Sequence, residues 1–313
     1  MKKTPRLLII SSYITLYIVW GSIYFFIKMA VQTIPPFYVV GLRHTLGGGA
    51  ILLIAYLSGR IKVWPTWKEV LASFFLGTFL LLIGNGLVTV AGKTVDSYMI
   101  ALTVAASPIA VAFYDRVLLK QHVSAIRFLG IIVGVVGVAL LLYDGRSLAS
   151  SLSPGILIVI GGVAAWSFAT SMGHRVKTYR DPLVSSGIQM LFVGLVSLIG
   201  VSFFPPTPAE FLPQVSGSSI LGLSVLIVLG SLSFVAFNYL IVHEPATRVV
   251  SYALVNPVIA TVLGLLVGNE SPMPYLFIGL PLILIGVTLM LYGETIIPYL
   301  KKRLTKPALD CRE

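Results

Sequence analysis

Arg43 is the residue with the most chemistry to offer. It falls about eight residues into an apolar run that opens at Pro36, roughly 12 Å deep at 1.5 Å per residue. A guanidinium stays charged at any working pH, and one facing lipid unpaired at that depth costs several kcal/mol. It therefore faces protein or a watery cavity, or it snorkels to the nearer interface. In a cavity it would hold an anionic or zwitterionic group. His44 follows it, about 100° further round the helix, and Lys28 lies at a similar depth on the preceding run. Lys28 is long enough to snorkel as well.

Other polar and aromatic side chains fall on shared helical faces. Tyr13, Tyr17, Trp20, Tyr24 and Lys28 recur at spacings of three or four, which aligns them on one face. Such a stripe is either a binding wall or ordinary packing. Asn85 shares a face with Thr89, Ser231 with Phe234 and Asn238, and Tyr252 with Asn256. Each amide either lines a path or joins helices, because an amide in hydrocarbon needs a partner. The candidate site is thus Arg43 with Trp20, Tyr24, Asn85, Trp166, Gln189, Asn238, Tyr252 and Asn256.

What is missing narrows the chemistry. All eleven carboxylates fall at the ends of apolar runs or between them. No buried acid is evident to carry an organic cation, so the site should favour anionic, zwitterionic or neutral solutes. His44 is the titratable candidate at depth for any proton coupling. No phosphate-binding glycine loop, paired-histidine metal motif or Ser-His-Asp arrangement is visible, and Gly161-Gly162 follows no strand. We expect no catalytic residue, cofactor or metal. The single cysteine, Cys311, excludes an intramolecular disulfide framework.

The elements that must position these residues are membrane helices. Residues are 57% hydrophobic and 11% charged, with a mean hydropathy of +0.97. Several runs exceed the ~18 apolar residues a spanning helix needs. Ten spans fit, at about 7–31, 36–58, 70–92, 96–115, 124–143, 154–174, 183–204, 217–242, 247–268 and 274–297. Met1 to Arg6 resembles the start of a signal peptide, but the apolar run behind it is too long, so it reads as a retained first helix. A net charge of +11 invites a nucleic-acid partner. The placement of the cations argues against one. Under this parse 18 of the 22 Lys and Arg fall in one alternating set of loops and tails, against Lys93 and Arg146 opposite. By the positive-inside rule both termini are cytoplasmic.

The chain also repeats itself. Pro108, Phe128, Gly130, Gly137 and Tyr143 recur 149 residues on as Pro257, Phe277, Gly279, Gly286 and Tyr292. Trp20, Pro36, Gly41 and Gly48 recur 146 residues on as Trp166, Pro182, Gly187 and Gly194. An odd number of spans per copy inverts the second copy in the membrane. The expected fold is an all-α polytopic membrane protein of ten transmembrane helices in two inverted five-helix repeats, residues 1–146 and 147–300, with a basic tail at 301–313. Inverted repeats build a midplane site between halves that rock against each other. Glycine stripes such as Gly130, Gly134 and Gly137 read as helix-packing seams, and Pro108 and Pro257 as places where helices bend.

The opening Leu16-Tyr-Ile-Val-Trp-Gly-Ser-Ile-Tyr24, Pro35-Pro36 and Arg43 resemble the start of EamA-type transporters of the drug/metabolite transporter superfamily. Gly84 to Ala91 and Ser251 to Pro257 are similar to the YedA-like permeases of that family. The resemblance covers nearly the whole chain. It implies two inverted EamA repeats, an inner-membrane location and export of small metabolites or drugs, with amino acids among the family's solutes. One position departs. The family often has a glutamate 13 residues after the proline of each repeat; here Glu270 follows Pro257, but Gln121 follows Pro108. A position at a helix junction favours a structural role.

The partners expected are therefore a small-molecule substrate and membrane lipid, without nucleic acid. Coupling to a proton or another ion, and a homodimer, are left open. A broad multidrug exporter and a non-transporting scaffold are the competing readings.

Overall fold

The computed structural model describes residues 6–118, 120, 124–141, 143, 153–173, 175–244, 249 and 251–304. These are helical, with no strand among the described residues, and the main helices are numbered in chain order. They are α1 (Arg6–Val31), α2 (Pro36–Leu57), α3 (Trp67–Ala91), α4 (Ser97–Leu118), α5 (Ala125–Leu141), α6 (Pro154–Gly173), α7 (Pro182–Val201), α8 (Gly217–His243), α9 (Tyr252–Leu266) and α10 (Leu276–Leu304). Eight are long and apolar enough to cross a membrane, and the stretches in α5 and α9 are apolar but shorter. Gln121, Arg146, Arg248 and Cys311 lie outside the described residues.

Local chemistry places the helix starts. Thr66 and Glu69 form a capping box, with Thr66 N donating to Glu69 Oε2 at 2.8 Å. That box starts α3 at Trp67, three residues before the start expected from hydropathy. Pro36 and Pro182 occupy first-turn positions, where a missing N–H costs nothing. Asp181 also caps α7, accepting from Leu183 N at 2.9 Å. At the far end α10 continues through Pro298 and the basic residues to Leu304.

The pairing of helices carries the repeat into three dimensions. α2 packs on α7, α5 on α10, and α4 on α9, each a pair of repeat counterparts. Two further contacts come in matched sets: α1 packs on α8 as α6 packs on α3, and α1 on α9 as α6 on α4. Exchanging each helix with the one five places on leaves these pairings unchanged, though the packing of α1 on α4 has no equal between α6 and α9. Two of the self-paired seams depend on glycine. A Cβ on Gly48 would lie 2.5 Å from Leu191 N, and one on Gly286 would lie 2.4 Å from Gly134 N. Backbones this close leave room for nothing larger.

The outside of the bundle is hydrocarbon. Phe128, Leu129, Ile132 and Val135 on α5 and Phe277, Ile278 and Ile285 on α10 are all exposed. A surface of this kind is stable only against lipid. This is a multi-pass membrane protein.

Three helices leave the α pattern for a stretch of π-helix: Leu16–Trp20 in α1, Thr78–Asn85 in α3 and Leu226–Gly230 in α8. α3 and α8 are repeat counterparts. Each π-stretch ends on a residue that lines the central cavity. The two expected proline bends differ. α4 is interrupted by a turn at Ala105–Ala106, just ahead of Pro108, whereas Pro257 sits inside an unbroken α9.

Candidate functional site

A small cavity of about 60 Å³ lies where α1, α2, α3, α4, α6, α8 and α9 converge. Among the described residues the α5–α10 pair and α7 contribute none to the lining. Six of the nine candidate residues surround it: Trp20, Tyr24, Arg43, Asn85, Trp166 and Tyr252.

Arg43 reaches it from α2 and is 4% exposed. Its Nη1 has no hydrogen-bond partner among the described residues. A Cβ on Gly230 would lie 3.9 Å from Nη2, which sets the guanidinium against the π-stretch of α8. His44 lines the same cavity, is 1% exposed, and has neither ring nitrogen paired among the described residues. On the helix the two side chains point about 100° apart. A cavity formed by helices on both sides of α2 admits both side chains. Among the described residues no carboxylate lines this space. It therefore offers a fixed positive charge and open donors in a low-dielectric wall, where a charge-assisted bond is strong.

The opposite wall is aromatic. Trp20 and Trp166, counterparts in the two repeats, meet edge to face at 5.5 Å between ring centroids. Tyr252 stands edge-on to Trp20 at 4.8 Å, and Phe237 packs on both tryptophans at 5.0 and 5.5 Å. The Trp20 indole N–H donates to Ser233 Oγ at 2.9 Å, and Ser233 Oγ donates to Gly230 O at 2.8 Å. That chain holds the indole in place without using the cavity. Ser233 carried no signal in the sequence, since a serine on an apolar helix usually bonds back to its own backbone.

Three candidates lie elsewhere. Gln189 is buried on α7, its Nε2 donating to Ser185 Oγ at 3.0 Å, one turn back. Its backbone carbonyl sits beside Gly77 of α3, and its Oε1 has no partner among the described residues. Asn238 Nδ2 donates to Ser186 Oγ at 2.8 Å, tying α8 to α7. Asn256 is buried on α9, one turn beyond Tyr252, with neither amide atom paired among the described residues.

Asn238 instead lines a second, larger cavity of about 560 Å³, with Thr170, Ser185 and the charged residues Lys177, Arg180 and Glu69. Phe237 lines it too. This ring is 0% exposed, so it stands between the second cavity and the aromatic wall of the first.

The opposite end of the bundle holds the ion group that corrects two expectations. Lys28 does not snorkel; its Nζ pairs with Asp96 and, at 3.0 Å, with Glu270. A buried acid does exist: the Glu270 side chain is 1% exposed. It accepts from Ser97 N at 2.9 Å and Ser97 Oγ at 3.0 Å, so it caps α4 in the other half of the chain rather than the helix that follows it. Glu270 is outside the central cavity's lining.

Comparison with known proteins agrees with this architecture. The pattern of the EamA-like transporter family matches residues 7–143 and 153–292. The uncharacterized inner membrane transporter YedA of Escherichia coli (strain K12) is 34% identical over 269 residues, covering 85% of each chain. The uncharacterized transporter YvbV of Bacillus subtilis (strain 168) is 25% identical over 288 residues, covering 90% of each. One crystal structure, 19% identical, superposes with a TM-score of 0.65 over 96% of this chain and 100% of its own, a likeness of fold alone. With both repeats matched and a relative this similar along most of its length, the chain belongs to the EamA-like transporter family, within the drug/metabolite transporter superfamily.

Proposed function

We propose that this transporter is a secondary carrier of the inner membrane that exports a small organic metabolite bearing a carboxylate or similar anionic group, an amino acid or related zwitterion or anion. Its ten helices span the bilayer as two inverted repeats with both termini cytoplasmic, and the halves rock around the central cavity. The observation that carries the substrate class is the buried, part-unpartnered guanidinium of Arg43 in a cavity whose described lining has no carboxylate. A solute anion would supply the missing partner, and the rings of Trp20, Trp166 and Tyr252 would hold its apolar body. No reacting group or cofactor is needed for this cycle. Proton or other ion coupling and dimerisation stay outside the proposal.

The aromatic wall also favours a second reading, broad export of planar drugs. Counterflow in proteoliposomes separates the readings. A metabolite carrier exchanges one class of solute saturably and prefers a zwitterion over its matched cationic ester. Chemically unrelated compounds competing for one saturable site would favour the drug exporter. Faster exchange of the cation than of the zwitterion would overturn the role given to Arg43. Failure of all solutes to exchange would leave a scaffold.

A further inference from the structure

The two ends of the bundle hold different chemistry. At one end Lys28 of α1, Asp96 at the start of α4 and Glu270 between α9 and α10 meet in one ion group. At the other the second cavity, lined by Lys177 and Arg180 among others, already runs inward as far as Phe237. We propose that Lys28, Asp96 and Glu270 are a breakable ionic latch that holds the cavity shut toward the Glu270 end, so that solute enters from the Lys177–Arg180 end past the Phe237 ring.

The geometry suits a latch better than a permanent joint. The group ties three separate segments, two from one half of the chain and one from the other. Glu270 also receives both the hydroxyl and the backbone N–H of Ser97, and Tyr98 N at 3.4 Å, so it sits on the positive end of α4. Tyr98 completes the tie, donating to Ser271 O at 2.9 Å and accepting from Met273 N at 3.1 Å. Gly264 makes room for the carboxylate, because a Cβ there would lie 2.3 Å from Glu270 Oε2.

Yet Lys28 and Asp96 side chains are 28% and 36% exposed, so water reaches the pair from that end. Separated ions recover hydration as they part, which offsets much of the lost attraction. Interlocked hydrocarbon has no such compensation when it opens to water. The contact is firm when shut and inexpensive to open.

The repeat makes the asymmetry plain. The counterpart of Glu270 in the first copy is Gln121, which carries no charge. The same tie cannot form with that residue at the other end. There the described ion pairs, Arg60–Asp181 and Arg127–Glu294, join the neighbourhoods of helices that already pack together, α2 with α7 and α5 with α10. With no solute bound, the chain rests closed at the Glu270 end. The meaning of this in a transport cycle rests on the carrier reading; the latch itself does not.

Thiol labelling tests it without any solute. With Cys311→Ser removing the one native cysteine, Val104→Cys reports on the central cavity and Thr170→Cys on the second cavity. Reconstituted protein is labelled with a membrane-impermeant maleimide from each side in turn. The latch predicts that Glu270→Gln speeds Val104→Cys labelling from the Glu270 side at least tenfold and slows Thr170→Cys labelling from the other. Rates within twofold of the parent, in protein that stays monodisperse with an unchanged thermal midpoint, would overturn it. Should Glu270→Gln fail to assemble, Asp96→Asn at the exposed corner must show the same change of direction, about threefold, and its absence overturns the proposal equally. Unchanged labelling in protein that still exchanges solute sinks the latch alone. Shifted labelling in protein that exchanges no solute sinks the carrier reading alone.

Discussion

Replacing Arg43 with methionine should stabilise the empty transporter while weakening its hold on solute. The side chain is 4% exposed and Nη1 lacks a partner among the described residues, so its charge is only partly compensated. Exchanging a buried charge for an apolar chain of similar length relieves desolvation by about 1–3 kcal/mol. At roughly 2 °C per kcal/mol for a chain this long, the thermal midpoint in detergent should rise by about 2–6 °C. Binding moves the other way. Losing a charge-assisted hydrogen bond to a carboxylate is worth about 1.5–3 kcal/mol, or about 10–150-fold in affinity. Opposite signs on the two readouts mark a group held in strain for function. Thermal unfolding of purified protein, with and without a transported solute, reads both effects at once. A variant that melts several degrees lower and exchanges solute with unchanged half-saturation would refute the reasoning, because Arg43 would then be structural glue.

Neighbouring glycines on α2 should respond oppositely to alanine. Gly48→Ala drives a Cβ to 2.5 Å from Leu191 N and should cost about 1–3 kcal/mol, whereas Gly49→Ala meets nothing within 4 Å and should gain up to about 1 kcal/mol from helix propensity; paired thermal melts check both. Ser233→Ala leaves the Trp20 indole N–H without its acceptor, which should cost about 1–3 kcal/mol and shift the tryptophan emission on solute addition. Thr66→Ala removes the box at the start of α3 and should lower stability by about 1 kcal/mol without changing exchange rates, measured as melting against counterflow.

Much of this was legible in the residue order, for a definite reason. Hydropathy and helical spacing are local properties, so the depth of Arg43 and the shared face of Trp20 and Tyr24 follow from their neighbours on one helix. The match between Trp20 and Trp166 came from the repeat, and the two rings do meet. The amides were not separable in the same way. Asn85, Gln189 and Asn238 are alike in one dimension, and only the partners they find differ: Gln189 and Asn238 donate to Ser185 and Ser186, while Asn85 lines the cavity. The π-stretches were equally hidden, since an extra residue in a turn leaves composition unchanged while re-aiming everything beyond it.

The sequence by itself determined the membrane class, the duplication and the buried cation, because burial in lipid is written into each helix independently of its neighbours. Tertiary structure alone decided that Lys28 meets a carboxylate 242 residues away and that Phe237 stands between two cavities. Those facts depend on how helices rotate and cross when backbones close on glycine seams. No single segment contains that information, because each helix takes its angle from the others it touches.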